Sequence, residues 1–486
     1  MSYSSLVQAA EAWHDLGRRY LERGEYGAAL AALREAATLT TDPGVLDHDL
    51  GRSLFALGHV DAAVESFRRA TRADDAALRE AALRSIAIII PGAPQADHRA
   101  VLAARRDWAP RSTSPRRSAA HHGTKLRIGY VSAYFGSRNW MKPVWGLINH
   151  HDRTRFEVHM FADRTDPTAD SGYRDAELDV IHAVHGVENM RLAEIVADAG
   201  IDILVDLNGY SFADRLGLFA LRPAPVIVGW FNMFATTGMV AFDWLVGDVN
   251  VIRLDEQEHY VERIHHLPGS YLAFDVLYTV PPVAPTPAVA TGYITFGCLG
   301  SQHKLTDAVL TAWGCILRAV PTARLYLRNA TLEDASSRDD LLARLDHEGI
   351  DPARVTLAGR AEHLEFVRSY DRIDIALDTF PYNGGTTTAE ALWQGVPVLT
   401  FDGDRWASRT SRSILLAAGL TDWVMADVAQ YVQRAVVLAN DPETPRMLAA
   451  LRAGMRDRLR SSAACDTAAL CRAMERFYQQ IAAGEL

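Results

Sequence analysis

The sequence predicts an α/β protein with two Rossmann-like lobes, preceded by an all-α region of helical repeats. Three observations support this fold class. Residues 5–72 repeat with a constant period, short β-branched runs alternate with helical segments from Leu126 onward, and the proline-rich segment 280–290 divides those runs into two sets. Alternating strands and helices form parallel sheets, so two sets of strands indicate two lobes.

The repeats come first in the chain, and their pattern returns after 34 residues. The matching pairs are Leu16 and Leu50, Gly17 and Gly51, Gly24 and Gly58, Ala29 and Ala63, Leu33 and Phe67, and Ala36 and Ala70. Small residues at fixed positions let two antiparallel helices cross closely, which is the tetratricopeptide pattern. Two repeats cannot bury their own face, so a third helix pair, 76–90 and 95–108, is expected to dock them onto the rest of the chain.

Residues 1–108 are therefore predicted to form one helical region. It either binds an acceptor or partner or serves only as a packing cap. Residues 109–125, APRSTSPRRSAAHHGTK, are rich in Pro, Ser, Arg and His. This composition is typical of a solvated linker and favours that interpretation over nucleic-acid binding, or metal binding by His121 and His122.

Two sets of apolar, β-branched runs follow the linker. The first set predicts strands at 128–131, 158–161, 203–207, 226–230 and 244–246, and the second begins at Tyr293 and continues at 325–327, 355–357, 373–377 and 398–401. These sets predict an N-terminal lobe over 126–285 and a C-terminal lobe over 286–486. In such folds the ligand binds at the carboxyl ends of the strands, so a site facing the cleft between the lobes is expected.

Composition limits the class of function. The net charge of -10 disfavours nucleic acid as a partner, because binding a phosphate backbone needs clustered Lys and Arg. The four cysteines form no CxxC pair and fit a reducing cytoplasm. The N-terminus lacks the pattern of a signal peptide, and the uncharged run 223–242 contains two prolines and several polar residues, so no membrane segment is expected. Oligomeric state is left open.

The stretch 373–400, IDIALDTFPYNGGTTTAEALWQGVPVLT, reads as strand, loop, helix and strand. Gly384 and Gly385 let the backbone approach a ligand, and Thr386 and Thr387 add hydroxyl groups to a helix N-terminus, which together suit a phosphate. Glu390, one turn later, is a candidate acceptor for a ribose hydroxyl. An ordinary capped helix is the alternative.

This stretch, with Ala407-Ser408-Arg409 after it, resembles the donor-nucleotide motif of the O-linked N-acetylglucosamine transferase family, including its SPINDLY-like branch. Four further stretches resemble the first catalytic lobe of that family, in the same order: LRIGYVS from Leu126, HDRTRFEV from His151, ILVDLNGY from Ile203 and FALRPAPVIVGW from Phe219. The resemblance implies the two-lobed GT-B fold and a nucleotide-sugar donor.

The resemblance also implies that Lys304 lies against the donor diphosphate. One ammonium group and the helix N-terminus at Thr386 and Thr387 would then neutralise the leaving group without a metal. No cofactor is expected. Asp402-Gly403-Asp404 supplies a metal-binding alternative, but the Asp-x-Asp pattern serves metal-dependent transferases of a different fold.

The chain departs from the family in the loops that surround the sugar. Tyr134, Arg138 and Lys142 stand where relatives carry Asp and His, so the usual acid and base groups are absent, and the two cations suit a phosphate or an anionic sugar. Phe231 and Asn232 replace residues of the sugar-pocket floor, which predicts a reshaped pocket.

The proton acceptor is therefore open. Asp206, at the carboxyl end of its strand, is a candidate general base, and its alternative role is to accept hydrogen bonds from the Asn208-Gly209 turn. Without such a base, the proton would leave through the donor phosphate and solvent.

The leading hypothesis is an inverting, metal-independent glycosyltransferase that moves a sugar from a UDP- or GDP-sugar to a hydroxyl of a protein or peptide held by the repeats. One alternative is a non-catalytic scaffold that binds through the repeats. The other is a transferase that acts on a small molecule.

Overall fold

The computed structural model describes residues 3–39, 44–112, 123–138, 140, 142–174 and 177–486. Most of the predicted linker, including His121 and His122, lies outside these residues. The chain folds into two compact units of three segments each. The first unit comprises Met1–Asp97, Pro281–Ser411 and Thr421–Arg456, and the second comprises His98–Val280, Arg412–Leu420 and Asp457–Leu486.

Helices dominate the first part of the chain and then alternate with strands. The helices of the described residues are α1 (Tyr3–Arg23), α2 (Tyr26–Leu39), α3 (Gly44–Leu57), α4 (Val60–Ala70), α5 (Ala76–Ile89), α6 (His98–Trp108), α7 (Lys142–Ile148), α8 (Asn189–Asp198), α9 (Leu216–Ala220), α10 (Pro287–Thr291), α11 (Asp307–Ala319), α12 (Ala335–His347), α13 (His363–Arg368), α14 (Thr386–Trp393), α15 (Thr410–Ala417), α16 (Val428–Asn440), α17 (Thr444–Arg460) and α18 (Thr467–Ala483). The strands in the same ranges are β1 (Leu126–Ser132), β2 (Phe156–Ala162), β3 (Val180–Ala183), β4 (Ile203–Asp206), β5 (Val226–Gly229), β6 (Trp244–Gly247), β7 (Arg263–His266), β8 (Thr295–Cys298), β9 (Arg324–Arg328), β10 (Val355–Ala358), β11 (Ile375–Leu377), β12 (Val398–Phe401) and β13 (Val424–Met425).

The repeats pack through the residue pairs that define their period. A Cβ atom on Gly17 would lie 2.6 Å from Leu33, and one on Gly51 would lie 2.7 Å from Phe67. The same glycine therefore faces the same large apolar residue in both repeats. This contact explains the pattern, because a larger residue at either position would push the two helices of that repeat apart.

Each unit contains one parallel sheet. The second unit has the strand order β3-β2-β1-β4-β5-β6-β7, and the first has β10-β9-β8-β11-β12-β13. All recorded strand pairs are parallel; β1 and β2, for example, pair from Leu126 with Phe156 to Ser132 with Ala162. This arrangement confirms the predicted fold class. The strand order reverses between β1 and β4 and between β8 and β11, and such reversals are where doubly wound sheets bind ligands.

Two helices, α6 and α18, belong to the second unit, although the sequence predicted α6 in the helical region 1–108 and α18 in the lobe 286–486. The predicted partners α5 and α6 separate, because the side chain of Arg105 on α6 is buried against the backbone oxygens of Met233 and Thr236 in the second unit. The last helix, α18, also belongs to the second unit rather than to a lobe over 286–486. Its residues Phe477 and Tyr478 are fully buried there.

None of the helices in the described part of the chain combines the length and the apolar character needed to cross a membrane.

Candidate functional site

The glycine loop, which we define as residues 378–385, connects β11 to α14 around one buried carboxylate. Asp378 Oδ1 accepts hydrogen bonds from the backbone N–H of Thr379 (3.0 Å) and of Gly384 (2.9 Å), and Oδ2 accepts one from the Thr400 hydroxyl (2.7 Å). Burial raises the pKa of Asp378, and the hydrogen bonds that the carboxylate accepts oppose this change. Because it binds both ends of the glycine loop, Asp378 holds the loop in one conformation.

The end of the glycine loop requires a glycine and starts a helix. A Cβ atom on Gly384 would lie 2.4 Å from the Thr388 hydroxyl oxygen and 2.8 Å from that of Thr387. α14 begins after Gly385 without a side-chain cap, and Thr386 and Thr387 are partly exposed. The first turn of such a helix presents backbone N–H groups and the positive end of the helix dipole, so it suits an anion.

Lys304 meets the glycine loop from the neighbouring strand. It ends a 3-10 turn, Gln302–Lys304, that follows β8, and we call residues 302–305 the lysine turn. Its Nζ atom donates a hydrogen bond to the Asn383 backbone oxygen (2.7 Å) and lies 4.2 Å from the ring centroid of Tyr382. Burial lowers the pKa of Lys304 to about 8, while the carboxylate of Asp378 opposes that shift. The structure thus brings Lys304 and the glycine loop together at the strand-order reversal of this sheet.

Glu390 lies in the same helix but on its buried side. Its side chain is 4% exposed, whereas Thr386 and Thr387 at the start of α14 are partly exposed. Its predicted contact with a ribose remains a prediction.

The carboxylates of the Asp402-Gly403-Asp404 segment lie beside two arginines. Asp404 receives hydrogen bonds from Arg405 at 3.0 and 2.6 Å, and Arg409 Nε lies 3.8 Å from Asp402 Oδ1. Both guanidinium groups are buried. Two neighbouring positive charges disfavour a cation, so this geometry favours ion pairing, and the absence of a metal remains a prediction.

Asp206 occupies the equivalent strand end in the second unit. Its side chain is fully buried and accepts hydrogen bonds from the backbone N–H of Asn208 (2.8 Å) and of Gly209 (3.2 Å). Burial raises the pKa of Asp206 to about 7, and the two hydrogen bonds oppose the shift. This geometry favours the structural role in the turn over the role of general base.

Phe231 and Asn232 pack against that turn. Asn232 Nδ2 donates to the Asn208 backbone oxygen (2.8 Å), and a Cβ atom on Gly209 would lie 2.4 Å from the Asn232 oxygen. Phe231 and Phe234 have φ angles of 74° and 57°, in the left-handed region that disfavours large side chains. The loop after β5 is therefore a strained, closely packed segment, and its side chains at 231 and 232 are buried.

Arg138 and Lys142 approach one aromatic ring in the second unit. The Arg138 guanidinium lies 6.0 Å and Lys142 Nζ lies 5.6 Å from the ring centroid of Tyr278. Arg138 also pairs with the exposed Asp170 at 3.2 Å. Tyr134 is held by its own contact, since its hydroxyl donates to the Ser211 backbone oxygen (2.9 Å). The predicted anion-binding role of the two cations remains a prediction.

Among the described residues, one cluster has the ligand types of a metal site, and it lies in the second unit. His151 Nδ1 is 3.0 Å from Glu475 Oε1 and 3.7 Å from Cys471 Sγ, and all three residues are buried. His151 Nε2 lies 2.7 Å from the Tyr130 hydroxyl. The contacts of His151 with Glu475 and Cys471 join the segment after α7 to α18.

Sequence reasoning missed two residues of the lysine and glycine-loop arrangement. Asp378 carries the loop and Tyr382 lies beside Lys304, yet neither was a candidate. Asp378 has a usable signal, because a polar residue directly after a buried strand lies at the edge of a parallel sheet where ligands bind. Tyr382 has none, because its contact depends on two distant chain segments.

Comparisons with known proteins identify the family. Residues 110–286 and 286–474 match the model of glycosyl transferase family 41, and residues 10–43 and 48–76 match a tetratricopeptide repeat model. A solved structure of a mutant of Thermobaculum terrenum O-GlcNAc transferase is 33% identical to this chain, with a TM-score of 0.82. That match covers 98% of this chain and 92% of the other.

Curated plant proteins also match. The probable UDP-N-acetylglucosamine--peptide N-acetylglucosaminyltransferase SPINDLY of Solanum lycopersicum is 32% identical over 364 residues, covering 73% of this chain and 38% of that protein. The Arabidopsis thaliana protein of the same name is 33% identical over 364 residues and is covered to 39%. This chain thus spans about two fifths of the length of these relatives. The matches confirm the resemblance found in the sequence: the chain belongs to glycosyl transferase family 41.

Proposed function

We propose that this chain transfers a sugar from a nucleotide diphosphate to a hydroxyl group of a protein or peptide, with inversion at the anomeric carbon. The observation that carries this proposal is the contact between Lys304 and the glycine loop, which brings a lysine ammonium to the segment leading into the uncapped N-terminus of α14. A positive group and a helix N-terminus together suit a diphosphate leaving group.

In the proposed reaction, the acceptor oxygen forms a bond to the anomeric carbon as the bond from that carbon to the diphosphate oxygen breaks. The electron pair of the broken bond stays on the diphosphate, where Lys304 and the N–H groups of Thr386 and Thr387 stabilise it. The acceptor proton leaves to the donor phosphate or to solvent, because Asp206 is occupied in its turn.

The reaction is proposed to need no metal ion. Lys304 supplies the positive charge at the diphosphate, and Asp402 and Asp404 already lie beside Arg409 and Arg405. The names of the relatives make UDP-N-acetylglucosamine the first donor to test and a peptide the first acceptor, with GDP-sugars as the second donor class. The four free cysteines support a reducing compartment such as the cytoplasm.

Calorimetry with UDP and GDP, with and without a chelator, tests the donor site. We expect one of the two nucleotides to bind equally well in both conditions. Binding that disappears on chelation would contradict the metal-free site, and no binding of either nucleotide would contradict the donor class.

A transfer assay with peptide acceptors then tests catalysis. Lys304→Ala should reduce the transfer rate by about 100-fold to 1000-fold, because the charge is needed most when the bond to the diphosphate breaks. Glu390→Ala should mainly weaken nucleotide binding. Sound nucleotide binding without transfer from any donor would instead favour a non-catalytic scaffold.

A further inference from the structure

The corner of the second repeat, which we define as residues 55–58 at the end of α3, lies against the lysine turn. The ring of Phe55 stacks on His303, with 4.8 Å between ring centroids and 23° between ring planes. His303 is the residue directly before Lys304. All of these residues belong to the first unit, so a repeat contacts the segment that carries the lysine.

Gly58 makes the closest approach at this corner. A Cβ atom there would lie 2.5 Å from the Leu305 backbone oxygen and 3.0 Å from that of Gln302. The guanidinium of Arg344 joins the same two segments, because it donates to the Leu57 oxygen at 2.6 Å and to the Leu305 oxygen at 2.8 Å. The Arg344 side chain therefore joins the repeat corner to the lysine turn, and Gly58 leaves no room for a side chain between them.

An aromatic contact continues from the corner to the ammonium group. The ring of His303 meets the ring of Tyr382 edge-on at 6.3 Å, and Tyr382 lies 4.2 Å from Lys304 Nζ. Tyr382 itself packs against residue 92, where a Cβ atom would lie 3.6 Å from that of Tyr382. The helical region thus borders both the turn that carries Lys304 and the ring beside its charge.

We propose that Phe55 and Gly58 are positioning residues, which hold Lys304 where it meets the diphosphate of the donor. The helical repeats then form part of the donor site, in addition to any role in binding the acceptor that the sequence suggested. This inference rests on the proposed function, because it assigns the diphosphate to Lys304.

The repeat itself supplies a matched control for Gly58. Gly24 is the equivalent residue of the first repeat, and both have positive φ angles, 76° and 95°. Nothing lies within 4 Å of a Cβ atom on Gly24, whereas one on Gly58 meets the lysine turn. Alanine at either position imposes a similar backbone strain, so the difference between the two variants isolates the contact with the turn.

Calorimetry of the full chain with UDP and with UMP tests the proposal. Gly58→Ala should weaken UDP binding by about 10-fold or more, because small displacements of a charged group have large effects, and should leave UMP binding nearly unchanged. Gly24→Ala should leave both affinities unchanged. Equal effects of the two variants on the ratio of UDP to UMP affinity would overturn the proposal.

A second pair of variants keeps the proposal testable if Gly58→Ala does not fold. Phe55→Leu removes the ring on His303, and Phe67→Leu removes a ring from the core of the same repeat. Only Phe55→Leu should weaken UDP binding, and its effect should disappear in the Lys304→Ala background, since both changes act on one contact. Additive effects of Phe55→Leu and Lys304→Ala, with wild-type UDP binding intact, would overturn this inference alone. Failure of the wild-type chain to bind UDP or GDP would overturn the proposed function and, with it, this inference.

Discussion

The surroundings of Lys304 determine the pH at which its ammonium group loses its charge. Burial lowers its pKa to about 8, so it is mostly protonated at pH 7 and loses its charge as the pH rises through about 8. A bound diphosphate favours the charged form. The affinity for a nucleotide diphosphate should therefore be constant below that pH and should fall above it by up to about 10-fold per pH unit.

Calorimetry with UDP between pH 6.5 and 9.5 measures this dependence. Lys304→Arg provides the control, because an arginine stays protonated throughout this range. Its affinity, whatever its value, should not change with pH. A wild-type affinity that is flat across the range would show that Lys304 does not carry the charge that binds the diphosphate.

The contribution of Asp206 to the stability of the fold should change with pH in the opposite direction to that of a carboxylate in an ion pair. Its pKa is raised to about 7 in the folded protein, against about 3.9 when unfolded, so the folded state holds the extra proton between these values. Its contribution to stability is therefore lost as the pH rises from about 4 to about 7. Asp206→Asn removes this loss. The free energy of unfolding of the variant, relative to that of wild type, should therefore be higher at pH 8 than at pH 5.

Urea unfolding at the two pH values measures that difference, and a transfer assay separates it from catalysis. If Asp206 only accepts the N–H groups of its turn, Asp206→Asn should keep most of its transfer activity and the wild-type pH profile. Loss of the acid limb together with most activity would instead make Asp206 the general base.

At this scale, the sequence predicts residues whose role depends on local chemistry. Gly384 and Thr387 are candidates because a loop and a helix start are encoded in consecutive residues, and Lys304 is a candidate through the family resemblance. Phe55 was not predicted, because its contact with residue 303 depends on how a repeat packs against a distant loop, and periodicity does not encode that packing. Asp378 was not predicted either, although its place directly after a buried strand is a usable signal.

Among the elements, the central strands and the edge strand β10 were predicted, whereas the edge strands β3, β7 and β13 were not. β4 and β5 are buried at every position, so they appear in the sequence as continuous apolar runs. The strand β3, at one edge of the same sheet, is mostly exposed, and β7 at the other edge is exposed or partly exposed throughout. Solvent-facing edge strands need no apolar run, so their sequences resemble loops.

The edge strand β7 carries a group that should make the second unit sensitive to acid. His265 stacks on Phe477 of α18, with 4.0 Å between ring centroids. Burial lowers the pKa of His265 to about 4, and the neighbouring His266 adds to the shift. The unfolded state, with a pKa near about 6.5, therefore binds the proton more readily, and this group's stabilising contribution is lost as the pH falls from about 6.5 towards 4.

Replacement of this side chain isolates its effect from those of other histidines. His265→Phe keeps a ring against Phe477 but cannot titrate. Between pH 7.5 and pH 5, urea unfolding of the variant should show a smaller loss of stability than wild type. An identical loss in both proteins would contradict the assignment.

At the scale of the whole molecule, neither compact unit is one continuous stretch of chain, because each is built from three separate segments. The sequence placed 286–486 in one lobe, because nothing in a run of alternating helices and strands marks the point where the chain returns to an earlier unit. The chain enters the second unit again at residue 457. The apolar residues of α18 predict a buried helix face, but they do not indicate which of the two sheets that face covers.

This arrangement predicts the result of removing α18. Deletion of residues 467–486 exposes the surface that Phe477 and Tyr478 bury in the second unit, and it leaves His151 without its partner Glu475. Calorimetric unfolding should therefore show the loss or a large downward shift of the transition of the second unit. The lysine turn and the glycine loop belong to the first unit, so UDP binding should persist while transfer to a peptide is lost.

Deletion of residues 484–486, which lie beyond the end of α18 and are exposed, is the control and should change neither property. If the longer deletion abolished UDP binding while the transition of the first unit stayed intact, the donor nucleotide would depend on residues of the second unit, and its assignment to Lys304 and the glycine loop would need revision.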